Sequence, residues 1–92
     1  MSSWQKFLDS KKKEEAEGKI RLKYESSMDV TKLEFNGKTK LDLRNGSSWI
    51  QTSDFEGKYN VFYPRVAVFE KGLAYEMYVS GINEPIPVRP AW

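Results

Sequence analysis

The chain has 92 residues, of which 39% are hydrophobic and 30% charged, a balance typical of a small globular domain and not of a disordered chain. It contains neither cysteine nor histidine, which excludes disulfides and Cys-ligated zinc and removes the commonest general base of enzymes. The net charge of +2 is too small to indicate a nucleic-acid partner by itself. We therefore expect one domain, residues 1–92, that is not an enzyme and binds no cofactor or metal.

The distribution of charge and apolar residues bears on location. No segment approaches the roughly 18 apolar residues of a membrane span, and the N-terminus lacks the apolar run of a secretory signal. We therefore expect a cytoplasmic chain without membrane association. Residues 1–23 carry seven Lys or Arg and four acids, so the basic excess lies near the N-terminus.

The first residues have the pattern of a short amphipathic helix, which we place at residues 2–18. Ser2 or Ser3 can cap its N-terminus, and Gly18 is a typical stop. The large apolar residues at helical spacing are Trp4, Phe7 and Leu8. Beyond them only charged residues and one alanine follow, so we expect the first two turns to dock and the later turns to lie in solvent.

Residues 19–79 predict a succession of short antiparallel strands. Ile20, Leu22 and Tyr24 alternate with charged residues, as in a half-buried strand with one apolar face. Further strands are expected near residues 49–53, 58–63, 65–69 and 73–79. The many prolines and glycines of residues 80–92 indicate an extended tail without regular structure.

The dipeptide Asn36-Gly37 predicts a β-hairpin between two short strands. A two-residue loop would place the apolar residues of the two strands on opposite faces. A three-residue loop with Gly37 in the left-handed conformation places them on one face. The residues concerned are Leu33, Phe35, Leu41 and Leu43. We therefore predict a loop with an odd number of residues.

One helix followed by six or seven short strands indicates an α+β fold that is mainly β. We expect the N-terminal amphipathic helix to pack on a strongly bent antiparallel sheet or small barrel.

The last predicted strands can be sorted into two faces by alternation. The core candidates are Tyr59, Val61, Tyr63, Val66, Val68, Leu73, Tyr75, Met77 and Val79. The opposite faces combine aromatic rings with polar and basic residues: Lys58, Asn60, Phe62, Arg65, Phe69 and Tyr78. Rings beside cations can stack bases and neutralise phosphates, and such stacking contributes ~1–3 kcal/mol per base. The first functional hypothesis is therefore binding of single-stranded nucleic acid on this face.

Two alternatives remain open. The N-terminal helix needs an apolar surface, and it could cover Phe62, Phe69 and Tyr78 instead of leaving them exposed. The chain could also be a small protein-interaction module, such as an inhibitor or adaptor, acting through exposed aromatics, the charged helix or the Pro-rich tail. In that tail Pro87 and Pro90 have P-x-x-P spacing, and Trp92 is expected to pack on its own core or on another chain. The sequence does not specify an oligomeric state.

Overall fold

The computed structural model describes residues 3–82 and 84–91, which form one helix and eight strands. The helix α1 spans Ser3–Ala16. The strands are β1 Arg21–Ser27, β2 Lys32–Asn36, β3 Lys40–Asp42, β4 Ser48–Gln51, β5 Glu56–Asn60, β6 Arg65–Lys71, β7 Ala74–Val79 and β8 Ile86–Pro90. The α+β, mainly β class is confirmed, with eight strands where six or seven were predicted.

The molecule has three layers. Six strands form a sheet in the order β1-β6-β7-β8-β4-β3, and β2 pairs with β5 in a separate two-stranded sheet. All pairings are antiparallel, and the main core lies between the two sheets. The large sheet is bent so far that its two edges meet, since the backbone N–H of Arg44 beyond β3 donates to the carbonyl of Ser27 on β1. Helix α1 covers part of its outer face.

The end of α1 follows from a glycine cap. Gly18 has a φ of +78°, and its N–H donates to the carbonyl of Glu15 while the N–H of Lys19 donates to the carbonyl of Glu14. This is the Schellman pattern that satisfies the last helical carbonyls, so the predicted stop at Gly18 is confirmed. The predicted cap Ser2 lies outside the described residues. Within the described chain, no helix combines the length and apolarity needed to cross a bilayer.

The predicted hairpin at Asn36-Gly37 is wrong, although the reasoning about faces holds. Strand β2 pairs with β5, and β3 pairs with β4, so the three residues between β2 and β3 connect the two sheets. Gly37 has a φ of +93°, and Thr39 Oγ accepts from the backbone N–H of Asn36 at 3.1 Å. Because the connection has an odd length, the apolar residues of both strands enter one core: Leu33, Phe35, Leu41 and Leu43.

The expectation of one apolar face on β1 is also wrong. Leu22 is opposite Phe69 and Tyr24 is opposite Val68, so Lys23 is an extra residue, a β-bulge. The bulge reverses the alternation. Leu22 therefore faces the helix, whereas Tyr24 packs in the main core with its ring centroid 5.8 Å from that of Trp49.

The C-terminal segment is a strand and not an irregular tail. Strand β8 lies between β7 and β4, with Ile86 and Val88 buried in the main core. Pro87 accepts from the N–H of Thr52, just past the end of β4, and Pro90 lies beyond the last β7–β8 pair. Neither proline therefore removes a hydrogen bond from the interior of the ladder. Trp92 lies outside the described residues.

Candidate interaction site

Two of the predicted stacking rings lie under the helix. Phe69 is only 3% exposed, and Tyr78 is half-buried. The ring centroid of Phe7 lies 4.7 Å from that of Tyr78, which lies 5.6 Å from that of Phe69. Leu8 and Trp4 complete the cluster. The helix therefore occupies the surface that the nucleic-acid hypothesis assigned to bases, and the expectation that Phe69 and Tyr78 form an open platform is corrected.

The other predicted residues do not form one surface with them. Lys58 and Asn60 are exposed on β5, in the two-stranded sheet, while Phe69 and Tyr78 belong to the six-stranded sheet. Lys58 is directly opposite Glu34, so a basic and an acidic residue share this position of the exposed face. Arg65 is exposed at the beginning of β6. The six residues are thus divided between the two sheets and the loop that joins β5 to β6.

That loop carries the largest exposed aromatic group among the described residues. Residues 61–64, here called the aromatic loop, connect β5 to β6. Phe62 is 81% exposed and Tyr63 is 49% exposed, and their rings are in edge-to-face contact with centroids 4.8 Å apart. The assignment of Tyr63 to the core is therefore wrong, because β5 ends at Asn60 and the alternation does not continue. The proline at position 64 was the signal for this break.

The backbone of the aromatic loop is held in place by neighbouring segments. Its hydrogen bonds run from Val61 N to Thr31 O, from Tyr63 N to Val30 O and from Met28 N to Pro64 O. Tyr63 has a φ of +41°, in the left-handed region that a non-glycine residue rarely adopts. Such a conformation costs on the order of 1–3 kcal/mol and persists only where the surroundings impose it. The two rings are therefore presented by a fixed backbone.

An ion pair lies beside the aromatic loop. Arg44 Nε donates to Asp29 Oδ1 at 2.6 Å, and Asp29 immediately precedes the residue that accepts from Tyr63 N–H. The hydrogen bond to Asp29 raises the pKa of Arg44, and the phenol of Tyr63 adds a smaller effect in the same direction. This basic group is therefore already paired with a carboxylate.

Comparison with known proteins adds no assignment for this site. No protein-family model matches the chain, and no curated protein or solved structure shows significant similarity to it. The case for the aromatic loop therefore rests on exposure, backbone geometry and charge.

Proposed function

We propose that this chain is a non-enzymatic protein-interaction module that inserts Phe62 and Tyr63 into an apolar pocket of a folded partner protein. The observation that carries the proposal is the pair of adjacent, exposed rings on one loop. Aromatic side chains are enriched among the residues that dominate the energy of protein interfaces. A single exposed apolar residue is common on protein surfaces, whereas two exposed rings in contact with each other form a patch typical of an interaction site.

The fixed backbone of the aromatic loop supports this proposal. A partner that binds a flexible loop loses free energy in ordering it, and a loop that is already ordered avoids that loss. The loop is hydrogen-bonded to residues 28–31, and Tyr63 is held at positive φ. Strained conformations cluster at functional positions, where the surrounding structure imposes them.

The charge distribution supports a protein partner over a polyanion. The outer face of the two-stranded sheet, next to the loop along the chain, carries two cations and two anions: Lys32, Glu34, Glu56 and Lys58. Arg44 is neutralised by Asp29. Phosphate binding requires unpaired cations, since phosphate contacts account for most of the affinity for nucleic acids. We therefore expect the partner pocket to be apolar with little net charge.

Single-stranded nucleic acid remains the second candidate. Phe62 is a free stacking surface, and the exposed Arg65 follows three residues later. Of the three rings on which the nucleic-acid hypothesis was based, only Phe62 is available for stacking, since Phe69 and Tyr78 are covered by the helix. We rank it below protein binding for that reason and because the charges on the outer face of the two-stranded sheet are balanced.

The test compares the wild-type chain with Phe62→Ala and with a matched control, Leu73→Ala. The assignment of Leu73 to the core is wrong, because β7 begins only at Ala74; Leu73 is fully exposed in the β6–β7 turn, away from the aromatic loop along the chain. Each immobilised variant is exposed to extract of the source cells, and a retained protein is purified and titrated by calorimetry. We expect Phe62→Ala to weaken binding by roughly 2 kcal/mol or more, about thirtyfold, and Leu73→Ala to leave it unchanged.

Two further measurements decide between the candidates. Fluorescence anisotropy with short labelled DNA and RNA at low salt tests the nucleic-acid hypothesis. If the wild type binds an oligonucleotide and Phe62→Ala does not, nucleic acid is favoured over a protein partner. Sedimentation of the free chain tests whether the partner is a second copy. Equal partner affinities of wild type, Phe62→Ala and Leu73→Ala would refute the role of the aromatic loop.

A further inference from the structure

The two edges of the two-stranded sheet differ in what covers them. The ladder between β2 and β5 continues one position beyond the paired strands, where the N–H of Val61 donates to the carbonyl of Thr31. In an antiparallel ladder, hydrogen-bonded pairs alternate with pairs whose backbone groups point away from the partner strand. The backbone groups of β5 that point outward therefore belong to every second residue before Val61: Asn60, Lys58 and Glu56.

The corresponding edge of β2 is occupied by a side chain of the same molecule. Thr39 Oγ donates to the carbonyl of Glu34 at 2.9 Å and accepts from the N–H of Asn36 at 3.1 Å. Within residues 3–82 and 84–91, by contrast, no hydrogen bond reaches the outward backbone groups of β5. An edge of this kind can accept a further strand.

The side chains along this open edge of β5 differ between its two faces. On the outer face, Glu56 and Lys58 are both exposed, and neither forms an ion pair with another described residue. On the inner face, the partly buried rings of Phe55 and Tyr59 are stacked beside Gly57 with centroids 6.1 Å apart. The edge thus presents two opposite charges on one face and two rings on the other.

We propose that the open edge of β5 pairs with β5 of a second copy of this chain, antiparallel and with the two-fold axis at Gly57. In this register Glu56 of each copy lies opposite Lys58 of the other, so both charge pairs are attractive. On the inner face Phe55 of each copy lies opposite Tyr59 of the other, and aromatic cross-strand pairs are stabilising as well. Sliding one strand by two residues would place Glu56 opposite Glu56 or Lys58 opposite Lys58. Charge and aromatic pairing therefore select the same register.

The pairing would join the two-stranded sheets of both copies into one sheet of four strands, in the order β2-β5-β5-β2. The contact is short, because β5 has 5 residues. We therefore expect a reversible dimer with a Kd in the micromolar range or weaker. This interface is separate from the aromatic loop and does not depend on the function proposed for it.

The first test is sedimentation equilibrium at low ionic strength, where exposed charges are screened least. Glu56→Lys places a lysine opposite Lys58 at both charge pairs, and we expect it to raise the dimer Kd about tenfold. The double variant Glu56→Lys/Lys58→Glu restores opposite charges and should return the Kd close to that of the wild type. The matched control is Glu15→Lys, which makes the same change in net charge at an exposed position of α1 and should leave the Kd unchanged.

The second test uses cysteine cross-linking to check the register, since the natural chain contains no cysteine. Opposed residues of a hydrogen-bonded pair lie about 5.5 Å apart at Cα, which is within the reach of a disulfide. A mixture of Glu56→Cys and Lys58→Cys should therefore give a disulfide-linked dimer of the two variants under mild oxidation. Glu56→Cys by itself should link much less, because residue 56 is not opposite its own copy in this register.

A wild-type chain that stays monomeric at millimolar concentration would overturn the proposal. A dimer that Glu56→Lys and Glu15→Lys weaken equally, or that the double variant does not restore, would overturn it as well. Phe62→Ala separates this interface from the aromatic loop, because it should leave dimerisation through β5 intact. A dimer that is lost in Phe62→Ala and kept in Glu56→Lys would exclude the β5 edge and place the contact at the aromatic loop.

Discussion

Lys11 of the helix lies over the ring of Tyr78 on β7, with Nζ 4.7 Å from the ring centroid. The same ammonium group bonds to Glu14, and the Tyr78 hydroxyl donates to Glu76 at 3.1 Å. The helix is thus joined to the sheet by a short series of polar contacts at the rim of the aromatic cluster. These contacts determine how the stability of the domain should respond to alkaline pH.

We predict that the domain loses stability as the pH rises above about 10. Burial raises the pKa of Tyr78 above its ordinary value of 10.0. Burial lowers the pKa of Lys11, but its bonds to Tyr78 and Glu14 outweigh this and raise it above 10.5. A raised pKa means that the folded state holds the proton more tightly than the unfolded state does. The resulting stabilisation is fully present below the unfolded-state pKa values and is lost as the pH rises through the folded-state pKa values. The test is the free energy of unfolding in urea, measured for wild type and for Tyr78→Phe across this pH range. A fall just as large in Tyr78→Phe would contradict the assignment to Tyr78.

We predict that Leu8→Ala destabilises the domain by about 2–3 kcal/mol, because it removes a buried side chain that packs with Ala67 and Phe69. In a domain of this size that corresponds to a decrease in Tm on the order of 10 °C. The control is Lys6→Ala, at an exposed position of the same helix, which should change stability by no more than about 0.5 kcal/mol. Identical melting curves for the two variants would mean that the helix is not docked.

We predict that Gly57→Ala is destabilising because of one ring. A Cβ at position 57 would lie 2.9 Å from Cε2 of Tyr59. That ring cannot move freely, since it is stacked on Phe55 and contacts Phe35 edge-on, each at a centroid distance of 6.1 Å. We expect a cost of about 1–3 kcal/mol by chemical denaturation. The cost should shrink in a Tyr59→Leu background, and an equal cost in both backgrounds would exclude a clash with Tyr59.

We predict that deletion of Lys23 is tolerated, unlike deletion of a regular strand residue. Lys23 is the extra residue of the β1 bulge, so its removal leaves Leu22 and Tyr24 adjacent and on opposite faces, as they are now. Deletion of Glu25, which pairs with Ala67, shifts one side of the strand by one residue and turns its side chains to the wrong face. Near-UV circular dichroism and cooperative melting should be retained in the first variant and lost in the second. Comparable loss in both would argue against the bulge.

Local patterns predicted the helix and much of the sheet. The end of the helix at Gly18 followed from backbone chemistry, and the alternation around Val66 and Val68 identified the inward face of β6, because neighbouring residues in a strand must point to opposite sides. These features depend on only a few consecutive residues.

Long-range pairing was not predictable in the same way. The Asn36-Gly37 signal is compatible with a hairpin, but β2 pairs with a strand about twenty residues further along. Nor did alternation reveal that the chain inserts Lys23 as a bulge. In the candidate site, Phe62 was identified correctly as lying outside the core, whereas Tyr63 was missed because the strand ends before it. Whether Phe69 is exposed depended on where the helix docked, which no local pattern specifies.

The central position of β8 has a consequence for the order of assembly. Among the described residues, the strand pairing between the β1-β6-β7 half of the large sheet and the β4-β3 half runs through residues 86–90, apart from the hydrogen bond from Arg44 N–H to the Ser27 carbonyl where the two edges meet. While the chain is being synthesised, the β3–β4 and β6–β7 hairpins can form, but the strand ladder between the two halves cannot be completed until this segment has left the ribosome. Folding therefore requires contacts between distant parts of the chain, and such contacts slow it. A nascent chain halted before residue 86 would expose the inner faces of two separate half-sheets, a state prone to aggregation.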